Sequence, residues 1–203
     1  MSSLIRNAYA SPSADGQKWL SKRDIFDFVI AFPAHRVLAA HTRSFVSSMT
    51  RELAIDNAAE AGSPRPPSIW DAFVRAVKHS LAVLESSPLV LIFKERGEGA
   101  QRHAECRQVG LHAPPFNAWG VQFRACGRGC SVVASDLSFR WDKGAMRCHC
   151  KLCGWKSCRV KDDDVEDMVA NLCAELPSVY WHTFPPSPHL LSTFSRITKE
   201  RRV

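Results

Sequence analysis

Two close pairs of cysteines constrain this chain more than any other feature. Cys126-x3-Cys130 is followed by nineteen residues and then by Cys150-x2-Cys153-Gly154. Paired cysteines this close let one tight turn aim two thiolates at one ion, and Zn²⁺ takes four ligands at tetrahedral corners. Two such turns brought together by a hairpin make a zinc ribbon. The residues between them suit a hairpin: SVVASDLSFRW alternates in places, Asp142-Lys143-Gly144 is a turn signal, and AMRCHC returns. Gly154 permits the turn conformation that such knuckles use. The reading is one Zn²⁺ on Cys126, Cys130, Cys150 and Cys153, with the sulfurs within about 4 Å of one another. Cys148, His149 and Cys158 are spare donors that stand as substitutes or as part of a second site.

Other uses of the sulfur are open. A disulfide scaffold is disfavoured, because the chain carries neither a signal peptide at its start nor a run of about 18–20 apolar residues. It therefore reads as soluble and intracellular, in cytoplasm or nucleus, where thiols stay reduced. A redox pair at Cys150 and Cys153 lacks the strand–CxxC–helix context. The plain alternative is reduced cysteines packed as small hydrophobes.

The charge sits where the cysteines sit. The 203-residue chain is +7, with 27 Lys and Arg against 20 acids. Between Arg124 and Lys161 there are nine basic residues and two acids, so this segment holds the whole net charge. Arg128, Arg140, Arg147 and Lys151 flank the expected turns and hairpin. With Phe139, Trp141 and Trp155 among them they suit contact with phosphates and stacked bases. A solvated surface over buried aromatics is the competing reading. The acidic run DDDVED, Asp162 to Asp167, follows at once and is placed to fold back on the basic face.

Elsewhere the pattern is that of an α/β body. FDFVIAF, 26–32, and LVLIF, 89–93, are continuous apolar runs, read as neighbouring buried strands covered on both faces. Leu38, His41, Phe45, Met49 and Leu53 recur at helical spacing from His35 to about Ile55. Ser68 suits the cap of a second helix through residue 86. Residues 57–67 read as a linker and 94–118 as a long loop. WGVQFRA, 119–125, reads as a strand. VKDDDVEDMVANLCAEL reads as a helix with acids at its amino end, and VYWHTF as a last strand.

Catalytic patterns are thin. His103, Glu105 and Cys106 are close in sequence, which does not make a dyad. His35, His41 and His79 read as packing or surface residues. LIFKERGEG is neither GxGxxG nor a Walker loop.

FVIAFPAHR, WGVQF-x2-C, RCHCKLCGW and WHTFPPSP together resemble the carboxy-terminal part of large uncharacterised proteins of mushroom-forming fungi. In those, an α/β region resembling a caspase-like layer precedes a cysteine ribbon. The resemblance covers residues 25–190 and implies a short or truncated member. It carries no activity, and no catalytic His–Cys pair is matched.

The expected architecture is thus α/β: a small sheet covered by helices, with an inserted zinc-ribbon-like hairpin. Residues 1–17 form a tail, 18–118 the body, 119–160 the cysteine-rich ribbon, and 161–203 a helix and strand completing the body. The expected function is a non-enzymatic zinc-ribbon protein that meets nucleic acid or a protein partner through its basic ribbon. The alternative is a partial or degenerate cysteine-hydrolase-like domain with a structural zinc.

Overall fold

The computed structural model describes residues 27–33, 38–59, 68–96, 102–114, 117–121, 123 and 126–195. The amino-terminal tail, His35, Arg124 and most of the 57–67 linker lie outside them. The chain divides into two compact units, with the boundary after Val109.

In the first unit, β1 (Phe28–Ala31) pairs antiparallel with β2 (Leu89–Arg96), Phe28 facing Phe93 and Ala31 facing Val90. The two apolar runs are neighbours, as read. In β2 Leu89, Val90, Leu91 and Phe93 are buried, whereas β1 is half-buried along its whole length. β3 (Arg102–Leu111) pairs with the other edge of β2.

This third strand corrects the loop reading of 94–118. RHAECRQVGL carries five polar or charged residues in its first seven, which hides a strand. Those residues still pack. The Arg107 guanidinium lies 4.4 Å from the centroid of the Trp70 ring and 5.2 Å from that of Phe93, and it pairs with Glu105. A planar cation can cover an aromatic surface as an apolar side chain would.

Helix α1 (Ala39–Ala59) buries Phe45 and Met49 and leaves Leu38, Val46 and Ile55 exposed. Helix α2 (Ile69–His79) is capped by Ser68, whose side chain accepts from the Asp71 amide at 3.2 Å. The helix expected through residue 86 breaks at Ser80–Leu81, and α3 (Ala82–Ser86) follows. Buried Ser80 shares its hydroxyl with Ser44 and Ser48 at 3.3 and 3.0 Å. Its amide reaches only to the Val77 carbonyl at 3.1 Å, a tighter turn that ends the helix. Phe45 meets Phe73 edge-on, and Trp70 stacks on Phe73 and Phe93, which joins the helices to β2.

The second unit holds the cysteines. A short helical turn at Ala134–Asp136 leads into β4 (Leu137–Asp142), which pairs antiparallel with β5 (Ala145–Cys150), Leu137 opposite Cys150 and Asp142 opposite Ala145. Lys143 and Gly144, both at positive φ, make the turn. Residues 156–160 run along the other side of β5. Met146 and Val160 exchange both backbone hydrogen bonds, and the Ser157 hydroxyl accepts from the Cys148 amide at 2.9 Å where a backbone carbonyl would otherwise sit.

Two further readings are corrected here. The 119–121 stretch is a turn: Trp119 and Gly120 have φ of 50° and 70°. A Cβ on Gly120 would come within 2.7 Å of the Gly110 carbonyl oxygen, so the backbones cross where side chains do not fit. The 161–176 segment is also not a helix. It has one short turn at Asp162–Asp164, then further turns, then β6 (Ala170–Asn171), which pairs with β7 (Val179–Thr183). The Asp164 carboxylate accepts the Lys161 amide at 2.8 Å and caps the start of that one short turn, which does not continue as a helix. Asn171 donates to the Leu176 and Val179 carbonyls and closes the turn into β7.

A short helix α4 (Pro188–Ser192), capped by Ser187, delivers Phe194 beneath the β4–β5 hairpin. There Phe194 contacts Phe123, Phe139 and Trp119 at ring-centroid distances of 4.6, 5.4 and 5.8 Å. Val165, Val169 and Leu190 join the same core. No helix among the described residues is long and apolar enough to cross a membrane.

Glu52 of α1 is buried between the helices and meets Arg75 at 2.9 Å and Arg51 at 3.3 Å. The Arg75 hydrogen bond, against burial and with Arg51 helping, holds its carboxyl below the usual value of 4.5. A depressed carboxylate contributes stability that is present above its unfolded pKa and lost as pH falls through the folded one. Glu52→Gln should therefore lower the unfolding midpoint at neutral pH. The difference from the parent chain should shrink as pH drops below 4.5. Thermal unfolding followed across that range checks this, and a gap independent of pH would refute the ionic role.

Candidate metal centre

Two turns build the centre. In the first, the Gly129 amide donates to the Cys126 carbonyl at 2.8 Å, with Gly129 at φ 76°, and the Arg128 amide donates to the Cys126 sulfur at 3.4 Å. Gly127 leaves room for Trp155, since a Cβ there would lie 2.5 Å from the indole. In the second, the Gly154 amide donates to the Cys150 carbonyl at 3.0 Å, with Gly154 at φ 71°. The hairpin sets the two turns side by side, because Cys150 closes β5 directly opposite Leu137. Lys151 ties the second turn to the segment before β4: its amide donates to the Asp136 carbonyl at 2.8 Å and its ammonium to the Ser135 carbonyl at 2.7 Å.

The four sulfurs of Cys126, Cys130, Cys150 and Cys153 come together, all within 4.8 Å of one another. Cys126 and Cys153 are 3.5 Å apart. A tetrahedron of sulfurs at about 2.3 Å from a central ion has edges of about 3.8 Å. The set is thus a little wider than the expected 4 Å and still has the size and donors of a metal site. All eight cysteines are unbridged thiols.

The electrostatics suit a cation. The Cys153 and Cys126 thiols, with burial, push Cys130 up to about 12. Burial opposes ionisation of Cys126 too. There the amides of Arg128 and Cys130 and the neighbouring thiols outweigh it, and the pKa falls to about 7. Amides aimed at sulfur stabilise thiolate, and a metal ion removes the mutual repulsion that keeps the remaining thiols protonated.

The spare donors lie elsewhere. Cys148 is buried in the core under the β4–β5 hairpin, which pushes its thiol up to about 12. His149 faces away from Cys148 and Cys150 on the strand, across from Ser138. The Cys158 thiol donates to the Thr193 carbonyl at 3.3 Å. Nothing matches this chain among known protein families, curated proteins or solved structures.

Of the four basic residues singled out, Arg128 is exposed on the first turn and Arg140 on β4. Lys151 bonds to Ser135, and Arg147 bonds to the Ser157 carbonyl at 2.8 Å and Asp142 at 3.4 Å. Phe139 is buried and Trp155 half-buried, which leaves Trp141 as the exposed aromatic, 50% accessible. Sequence reasoning missed Ser157 and Phe194, the residues that pin the ribbon from beside and below. His103, Glu105 and Cys106 lie on one strand, where Cys106 is buried with its thiol raised to about 11 and Glu105 is paired with Arg107.

The geometry separates ligand from packing cysteine. Cys148→Ser should keep the metal and cost about 1–3 kcal/mol through a buried, poorly satisfied hydroxyl. Cys150→Ser should lose tight metal binding. Metal content and chemical unfolding of both variants check this, and equal metal loss in the two would put Cys148 in the ligand set.

Proposed function

We propose that this chain is a non-enzymatic zinc-ribbon protein. In this reading Cys126, Cys130, Cys150 and Cys153 hold one Zn²⁺ as thiolates, and the basic ribbon they brace is the surface that meets a nucleic-acid or protein partner. The observation that carries it is the convergence of four cysteine sulfurs from two glycine-shaped turns at the end of one hairpin. An all-sulfur tetrahedral set suits Zn²⁺. Four protein ligands leave no open position for water or substrate, so the ion would brace the fold and perform no chemistry. Free thiols at all eight cysteines fit a reducing compartment, cytoplasm or nucleus. The likeness to the cysteine ribbon of large proteins of mushroom-forming fungi belongs to the same proposal.

The rival reading, a degenerate cysteine hydrolase, finds less support. Cys106 is buried with a raised pKa, the opposite of an activated thiol.

The chain purified from cells grown in zinc-supplemented medium should carry about one Zn²⁺ per chain by elemental analysis. A strong chelator should abolish the near-ultraviolet dichroism of the buried Trp119, with recovery on adding Zn²⁺. A folded chain that carries no stoichiometric metal, and whose spectrum ignores the chelator, would overturn the reading.

A further inference from the structure

We propose, resting on that ribbon reading, that the outer face of the ribbon binds the phosphate backbone of single-stranded nucleic acid. The face is defined by strand register. Arg140 lies directly across from Arg147, and Ser138 from His149, while Leu137, Phe139 and Cys148 turn inward. Lys156 lies across from His149 on the other side of β5 and extends the basic row. Like charges directly opposite each other weaken a sheet, so packing alone does not account for the arginine pair.

A single carboxylate organises the row. Asp142 accepts from Arg159 at 3.0 and 3.1 Å and from Arg147 at 3.4 Å. One negative charge thus orders two guanidinium groups and leaves the face positive. Among the described residues Arg140 has no acidic partner. The acidic run that follows does not neutralise it: Asp162 accepts the Trp119 indole N–H at 2.9 Å and Asp164 caps the Lys161 amide. No ion pair among the described residues joins that run to Arg140, Arg147 or Arg159. Preset guanidinium forks match phosphate oxygens better than flexible lysines do.

Single strands are favoured by Trp141. By register it lies across from Met146, on the Phe139 side of the hairpin and not on the arginine side, yet it is half-exposed next to the hairpin turn, with the His112 ring tilted 6.2 Å away. An exposed indole at the hairpin end offers a stacking partner to an unpaired base of a strand that leaves the arginine row and rounds the turn, and a duplex offers no such base.

Lys151 and Arg128 sit on the cysteine turns, outside the β4–β5 pairing, so charge-matched variants separate a defined face from diffuse attraction. The zinc-loaded full chain is titrated against a labelled oligothymidylate over a range of salt by fluorescence anisotropy. Arg140→Ala with Arg159→Ala should weaken binding about tenfold or more and flatten the log–log salt slope by about 1.4, the share of two phosphates on a single strand. Arg128→Ala with Lys151→Ala should change affinity less than about threefold. Trp141→Ala should weaken binding and remove the indole quenching that accompanies it.

Equal losses in the two charge-matched variants would overturn the face assignment. So would tighter binding to a duplex of the same sequence, or binding to anionic vesicles but not to the oligonucleotide. A chain that holds zinc and ignores the oligonucleotide refutes this inference and leaves the ribbon intact. A chain without zinc refutes the ribbon itself, and this inference with it. Each variant should retain its zinc and its dichroism, which shows that a lost signal is a lost contact.

Discussion

Four thiols gathered into one small volume set the terms for the rest of the second unit. Left to themselves they repel further ionisation: Cys130 is pushed up to about 12 by its neighbours while amides draw Cys126 down to about 7. The gathering is stable only if the backbone holds the turns in place or if a cation compensates the charge. The chain does the first with Gly129 and Gly154 at positive φ and with the hairpin that aligns the turns. The donors it presents are those that suit the second. The inner face of the hairpin then rests on an aromatic core in which Phe194 contacts Phe123 and Phe139.

The legible parts of this fold were those written in local chemistry. Cysteine spacing identified the four converging sulfurs, Lys143-Gly144 the turn, and Ser68 a helix start. LVLIF and FVIAF announced paired strands. What stayed hidden depended on distant partners. β3 looked like a loop because its apolar cover is supplied by Arg107 lying on Trp70 and Phe93. Val165, Val169 and Leu172 recur at helical spacing and are all buried, yet turns and the short β6 place them there, with Asn171 closing the turn into β7 on the Leu176 and Val179 carbonyls. Ser80 broke a helix through hydroxyls 32 and 36 residues away in the chain. At the centre itself, the spacing chose Cys150 with Cys153 and left Cys148 as a spare donor, and the four sulfurs that converge are the ones it chose. The strand puts Cys148 and Cys150 on one face and both are buried; Cys150 differs by ending β5, where its sulfur meets those of Cys126, Cys130 and Cys153.

Charge is sorted as sharply as polarity in this unit. The segment that carries the whole net charge of the chain spends part of it internally: Lys151 on the Ser135 carbonyl, Arg147 on Ser157 and Asp142. Arg140 on β4 and Lys156 beside β5 are exposed, with no acidic partner to either among the described residues. The acids from Asp162 onward start on the side where Trp119 and His112 lie; Asp162 bonds the Trp119 indole, and its charge reaches His112. A raw count of basic residues would treat all nine alike, whereas register and hydrogen bonding separate scaffold cations from presented ones.

The central claim is that one metal ion sits among four cysteine sulfurs. X-ray absorption at the zinc edge of the purified full-length chain tests it most directly. The account predicts a first shell of four sulfur scatterers at about 2.3 Å and no nitrogen or oxygen donor. A mixed shell with a light-atom donor at about 2.0–2.1 Å would bring His149 or solvent into the site and contradict the closed all-cysteine centre.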